Sequence, residues 1–204
     1  MVRYRAVSAT TTPVNIVIIG ASGDLTRKKL LPALFSLYCN GFLPERFHVV
    51  GFARSEMSDQ QFRDQVAETL TCRYEPEPSS CDIKVGAFLK RCRYHSGQYD
   101  DADAFRALGR RLEELNGPRA AMLMYMAIPP SVFLDTARSI REAGLSDEES
   151  RAWSRVVIEK PFGRDTASSA ELTRALGEIF TEEQTYRIDH YLGKEVIQNL
   201  LILR

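Results

Sequence analysis

The sequence predicts an α/β fold, a doubly wound parallel sheet with helices on both faces. Three observations carry this. Short runs of β-branched and apolar residues alternate with longer helical stripes along the chain. The first run, Val14 to Ile19, ends on a glycine-containing turn that opens a helical pattern. No internal repeat or low-complexity segment interrupts the alternation.

Residues 1–13 form a polar, Thr-rich stretch, expected to be a flexible leader. Val14-Asn-Ile-Val-Ile-Ile19 reads as a buried strand that stops at Gly20. From Thr26 the pattern is helical, with Leu30, Leu31, Leu34, Leu37 and Tyr38 on one stripe and Gly41 as its stop. Pro32 is expected near the first turns, where a missing N–H costs little. Phe47 to Ala53 reads as a second strand, and Ser58 with Gln61 as a capping box opening another helix. Residues 71–100 are the least legible, with a loop around Pro76 and Pro78 and a short helix over 82–91. Helix is expected over 103–115, strand over 121–128, helix over 131–143 and strand over 155–159. Helix over 165–180, a short strand over 186–190 and a last helix over 193–204 complete the series. The domain is expected to span 14–204.

With 204 residues, the chain is long enough to bury a core without disulfide staples. Lys+Arg and Asp+Glu both total 27, which argues against a polybasic nucleic-acid binder. No apolar run reaches the roughly 18–20 residues of a membrane span, and no apolar signal region opens the chain. Cys39, Cys72, Cys81 and Cys92 form no C-x-x-C pair, so free thiols and no metal are expected, in a soluble cytoplasmic protein. The apolar stripe Val196, Ile197, Leu200, Leu201, Leu203 is cut at Arg204 without a stop signal. The expectation is the N-terminal part of a longer protein, with a complete chain ending in a docking helix as the alternative.

Four motifs bear chemistry. Gly20-Ala21-Ser22-Gly23-Asp24-Leu25-Thr26 joins the first strand to the first helix, where glycines permit a tight turn and a helix start attracts phosphate. It is not the usual G-x-G-x-x-G, and a turn needing glycine only for its geometry is the alternative to a phosphate site. Arg54 follows the second strand. In a Rossmann-like unit that position meets the adenine ribose, where Arg pairs with a 2′-phosphate and an acidic residue with a 2′-hydroxyl. Glu159-Lys160-Pro161-Phe162-Gly163 ends a buried strand, where ligands of open α/β sheets bind. Lys160 there is placed to hold a sugar hydroxyl and a cofactor amide, and Pro161 invites a special peptide geometry, with cis and trans both open. Finally, His190, Tyr191 and Lys194 within Arg187-Ile-Asp-His-Tyr-Leu-Gly-Lys-Glu195 are spaced to converge on a phosphate at a helix entrance. Taken singly, a surface arginine, a solvated lysine and a structural histidine are the plainer readings of the last three.

Together these motifs resemble the glucose-6-phosphate dehydrogenase family, from about Val14 to Arg204. The resemblance rests on Gly20-Ala-Ser-Gly-Asp-Leu25, Gly51-Phe-Ala-Arg54-Ser55, Glu159-Lys-Pro-Phe-Gly163 and the segment Arg187 to Glu195. Arg93-Tyr94 and Met126-Ala-Ile-Pro-Pro130 lie where that family has similar segments. It implies NADP as cofactor, glucose 6-phosphate as substrate, and oxidation at C1 to the 6-phospholactone, the first step of the oxidative pentose phosphate pathway. It also implies a homo-oligomer.

Carried over residue by residue, Gly20, Ala21, Ser22, Gly23, Asp24 and Leu25 hold the pyrophosphate and Arg54 the 2′-phosphate. Lys160 touches both sugar and nicotinamide, with Pro161 positioning it. His190, Tyr191 and Lys194 bind the substrate phosphate, and Asp189 orients the catalytic base. The base itself is, by the resemblance, a histidine beyond the signature segment. This chain has only His48, His95 and His190, none of them in that place. The 204-residue chain is therefore expected to be nearly inactive alone. Another NADP-linked sugar dehydrogenase and a non-catalytic binding module remain the rival readings.

Overall fold

The computed structural model describes residues 12–70, 78–147, 149–159 and 166–188. Six parallel strands form one sheet: β1 (Val14–Ile19), β2 (Phe47–Ala53), β3 (Cys92–Ser96), β4 (Ala121–Met126), β5 (Ser154–Glu159) and β6 (Thr185–Ile188). Their order, β3-β2-β1-β4-β5-β6, reverses direction between β1 and β4 and creates a crevice at the carboxyl ends of the strands.

The helices are α1 (Leu31–Cys39), α2 (Asp59–Thr69), α3 (Pro78–Leu89), α4 (Ala102–Asn116), α5 (Phe133–Glu142) and α6 (Thr166–Gly177). Alternate strand residues feed two cores, because successive side chains leave a strand on opposite faces. Val17, Ile19, Val50, Phe52, Met124 and Val156 pack against Phe105 and Leu112 of α4 and Phe133 and Ile140 of α5. Ile16, Ile18, Val49 and Ala53 face Leu31 and Phe35 of α1, Phe62 and Val66 of α2 and Phe88 of α3.

The expected strands 14–19 and 47–53 are observed with those bounds. Ser58 caps α2 in a reciprocal box: its Oγ accepts from the Gln61 N–H at 3.2 Å, and its own N–H donates to Gln61 Oε1 at 2.8 Å. Three expectations are corrected. The stretch 71–100 holds a strand, β3, that the pattern does not reveal; it is a short edge strand whose side chains alternate buried and partly exposed. The helical segment starts at Asp24 rather than Thr26, while Pro32 falls at the second position of α1. Residues Thr26–Leu30 widen into a π-helical turn, with the Leu31 N–H donating to the Thr26 carbonyl. That wider turn sits directly before the proline, whose ring and missing N–H disfavour a regular α-turn.

The third correction concerns the thiols. Cys81 is disulfide-bonded, whereas Cys39 and Cys92 form no disulfide. Scattered spacing conceals which cysteines a fold brings together. Among the described residues no helix is long and apolar enough to cross a membrane. Most of the expected leader, Cys72 and the expected helix over 193–204 lie outside the described residues.

Candidate functional site

The turn after β1 is built around two close approaches. Gly20 has φ +94°, and a Cβ there would lie 2.2 Å from the Ala127 carbonyl oxygen, so only glycine fits against the end of β4. The Ala127 N–H in turn donates to the Ile19 carbonyl at 2.8 Å. Gly51 of β2 is the second approach, since a Cβ there would meet the Ala21 Cβ at 2.7 Å and Phe62 Cζ at 2.9 Å. The Gly20 and Ala21 amides both donate to the Phe52 carbonyl, at 2.8 and 3.2 Å. Their part is therefore to pin the turn onto β2 rather than to offer free donors. Thr26 Oγ1 donates back to the Gly20 carbonyl at 3.1 Å and closes the turn onto the helix.

Ser22, Gly23 and Asp24 remain exposed at the helix start, and Leu25 is partly exposed. A helix start of this kind favours an anion. The Asp24 carboxylate would oppose one, but Lys28 one turn on pairs with it at 2.8 Å and holds its pKa below the usual carboxylate range.

Arg54 stands exposed just past β2, beside this turn, because Ile19 pairs with Phe52 in the sheet register. Its guanidinium lies 5.3 Å from the centroid of the Tyr99 ring. The next carbonyl, of Ser55, accepts from the Tyr94 hydroxyl at 2.7 Å. Asp59, at the start of α2, accepts from the Tyr94 N–H at 2.8 Å and from Arg111 at 2.6 Å. That carboxylate therefore joins α2, β3 and α4 next to the Arg54 loop.

At the other half of the crevice, the Tyr125 hydroxyl on β4 donates to Glu159 Oε1 at the end of β5. Burial first, and then that carboxylate, push the Tyr125 pKa up, so the phenol keeps its proton. This pair steadies the strand end that leads to Lys160. Lys160, Pro161, Asp189, His190, Tyr191 and Lys194 lie outside the described residues.

Two histidines are described, and both have structural partners. His48 Nδ1 contacts Asn116 Oδ1 at 3.2 Å near the amino ends of the strands, away from the crevice. His95 stacks on Phe52 at 6.0 Å between centroids. A broad hollow of about 570 Å³, lined by residues including Leu123, Trp153, Val157 and Tyr186, runs along the sheet face of β4, β5 and β6 rather than at the turn. The sequence assigns no role to Tyr94, which it marks only as part of a family-like segment, and does not single out Tyr99 or Tyr125. Their partners are distant in the chain, and the only local signal is an aromatic residue at or near a strand end.

A family described as glucose-6-phosphate dehydrogenase, NAD binding domain, matches residues 17–199. The chloroplastic glucose-6-phosphate 1-dehydrogenase of Solanum tuberosum is 50% identical over 194 residues, covering 95% of this chain and 33% of that protein. A cytoplasmic Arabidopsis thaliana relative, glucose-6-phosphate 1-dehydrogenase 6, is 39% identical over 210 residues, covering 100% of this chain and 40% of the relative. A solved glucose-6-phosphate dehydrogenase in complex with its substrate glucose-6-phosphate superposes with a TM-score of 0.82 at 39% identity, covering 97% of this chain and 41% of that one. The chain thus spans between a third and two fifths of the length of these relatives.

Proposed function

Because the chain belongs to the glucose-6-phosphate dehydrogenase family, we propose that it forms the NADP-binding part of an enzyme that oxidises glucose 6-phosphate at C1 to the 6-phospholactone. The observation that carries the cofactor assignment is the pairing of an exposed glycine turn after β1 with an exposed arginine after β2, side by side at the carboxyl end of the sheet. These residues fit a dinucleotide with a 2′-phosphate: a helix start for the pyrophosphate and a guanidinium for the extra anion. NADP, when bound, takes up the hydride that leaves C1.

In this reading Ser22 to Leu25 hold the pyrophosphate, Gly20 and Ala21 shape the turn, and Arg54 binds the 2′-phosphate. Lys160 orients the sugar against the nicotinamide, helped by Pro161. His190, Tyr191 and Lys194 hold the substrate phosphate, and Asp189 orients a general base that takes the C1 hydroxyl proton. That base is supplied from outside the described residues, since His48 and His95 are engaged elsewhere. Residues 14–204 form the cofactor domain, preceded by a leader. A homo-oligomer and a cytoplasmic location belong to the same proposal. Chloroplastic and cytoplasmic relatives both match, and a fluorescent fusion in the source cell separates the two.

Initial rates of NADPH formation, measured on the source gene product and on this chain with phosphorylated and unphosphorylated sugars, test the proposal. Strong dependence on the 6-phosphate supports it. Equal turnover of free glucose by the gene product contradicts it. Near-normal turnover by the 204-residue chain contradicts a general base beyond the segment Arg187 to Glu195.

A further inference from the structure

The loop after β3 reaches the end of β2 through a backbone bond, the Gly97 N–H donating to the Ala53 carbonyl at 3.0 Å. That bond brings Tyr99 beneath Arg54. The Tyr99 ring is itself held: it packs on Phe52 at 6.2 Å between centroids, and Phe52 is fully buried against Phe105 at 4.5 Å. Tyr99 is half-buried, and burial raises its pKa against the opposing pull of Arg54, whose guanidinium also hydrogen-bonds the phenol oxygen. On the backbone side, the Tyr94 hydroxyl fixes the Ser55 carbonyl. Arg54 has no ion pair among the described residues, so Tyr99, through its ring face and its hydroxyl, is the contact that orients its charge.

We propose that Tyr99 is a positioning residue for Arg54, its ring holding the guanidinium 5.3 Å away in the place where a 2′-phosphate arrives. The proposal rests on the reading of Arg54 as the 2′-phosphate ligand. An arginine on a solvated loop samples many rotamers, and binding a phosphate must fix one of them. A ring face already under the guanidinium removes part of that ordering cost before the ligand arrives. The cofactor preference is then set by two loops, the one that carries the charge and the one after β3 that aims it.

The test is equilibrium titration with NADPH and NADH, followed by nicotinamide fluorescence, on the wild-type chain, Tyr99→Leu, Tyr99→Phe and Arg54→Gln. Tyr99→Leu is expected to lower the NADPH-to-NADH affinity ratio by about two- to fivefold, by weakening NADPH alone. Tyr99→Phe keeps the ring face but loses the hydroxyl bond to Arg54, and is expected to keep a ratio between those of the wild type and Tyr99→Leu. Tyr99→Met refills the volume without a π face and repeats the test where leucine packs poorly.

An unchanged ratio in Tyr99→Leu and Tyr99→Met, with a collapsed ratio in Arg54→Gln, overturns the positioning role and leaves the phosphate reading standing. A ratio in Tyr99→Phe as low as in Tyr99→Leu overturns the role of the ring. Equal losses for both cofactors in the Leu and Met variants assign Tyr99 to the fold alone and overturn the proposal. An unchanged ratio in Arg54→Gln overturns the phosphate reading, and the proposal with it.

Discussion

A Cβ on Gly51 would stand 2.7 Å from the Ala21 Cβ. The second strand and the turn after the first are therefore in contact through the missing side chain of one residue. This contact lets the helix start and the end of β2 approach closely, as the proposed dinucleotide site requires.

Gly51→Ala is expected to destabilise the chain by about 1–3 kcal/mol through overpacking against Ala21 and Phe62. Gly20→Ala is expected to cost more than about 3 kcal/mol, because its φ is positive and the obstacle is the Ala127 carbonyl rather than a side chain. Urea unfolding of the two variants checks the order. Gly51→Ala as harmful as Gly20→Ala would contradict this account of the turn.

Asn116 ties the amino ends of β1 and β2 to α4, its Nδ2 donating to Asn15 Oδ1 at 2.8 Å and to the Val14 carbonyl at 3.2 Å. Asn116→Leu strands the fully buried Asn15 and is expected to cost about 1–3 kcal/mol. Adding Asn15→Leu removes the orphaned amide, so the double variant is expected to be less destabilised than the sum of the two single ones. Strict additivity in urea midpoints would contradict this coupling.

Burial lowers the pKa of both His48 and His95 below the ordinary 6.5. For His48 the nearby Arg46, Arg91 and Arg93 add to the effect, and for His95 Arg111 and Arg110 do. In the window just below 6.5 the unfolded chain binds more protons than the folded one. The stability from these groups is thus complete above that value and is lost as pH falls through the folded values. The urea midpoint is expected to drop between about pH 7.5 and 5.5, and to drop less in the double variant His48→Gln, His95→Phe. An equally steep fall in that variant would assign the effect to other groups.

Much of this architecture is legible in the chain itself. Val14–Ile19 and Phe47–Ala53 are near-continuous apolar runs because both faces of those central strands are covered. Cys92–Ser96 is not legible, since an edge strand alternating Arg93 and His95 with buried Cys92 and Tyr94 looks like loop or helix locally. The position of Arg54 just past a strand is readable. Tyr99 is not, because its relation to Arg54 exists only once β3 lies beside β2. The π-helical turn before Pro32 is likewise not legible, because a proline within a helical stripe signals a disturbed turn but not its kind.

The central claim is that the turn after β1 and Arg54 form a site for a dinucleotide bearing a 2′-phosphate. Parallel titration of the chain with NADPH and NADH, in the wild type and in Arg54→Gln, tests it most directly. The account predicts tighter NADPH binding in the wild type and loss of that preference, about tenfold or more, when the guanidinium is removed. Equal or tighter NADH binding by the folded wild-type chain would contradict it.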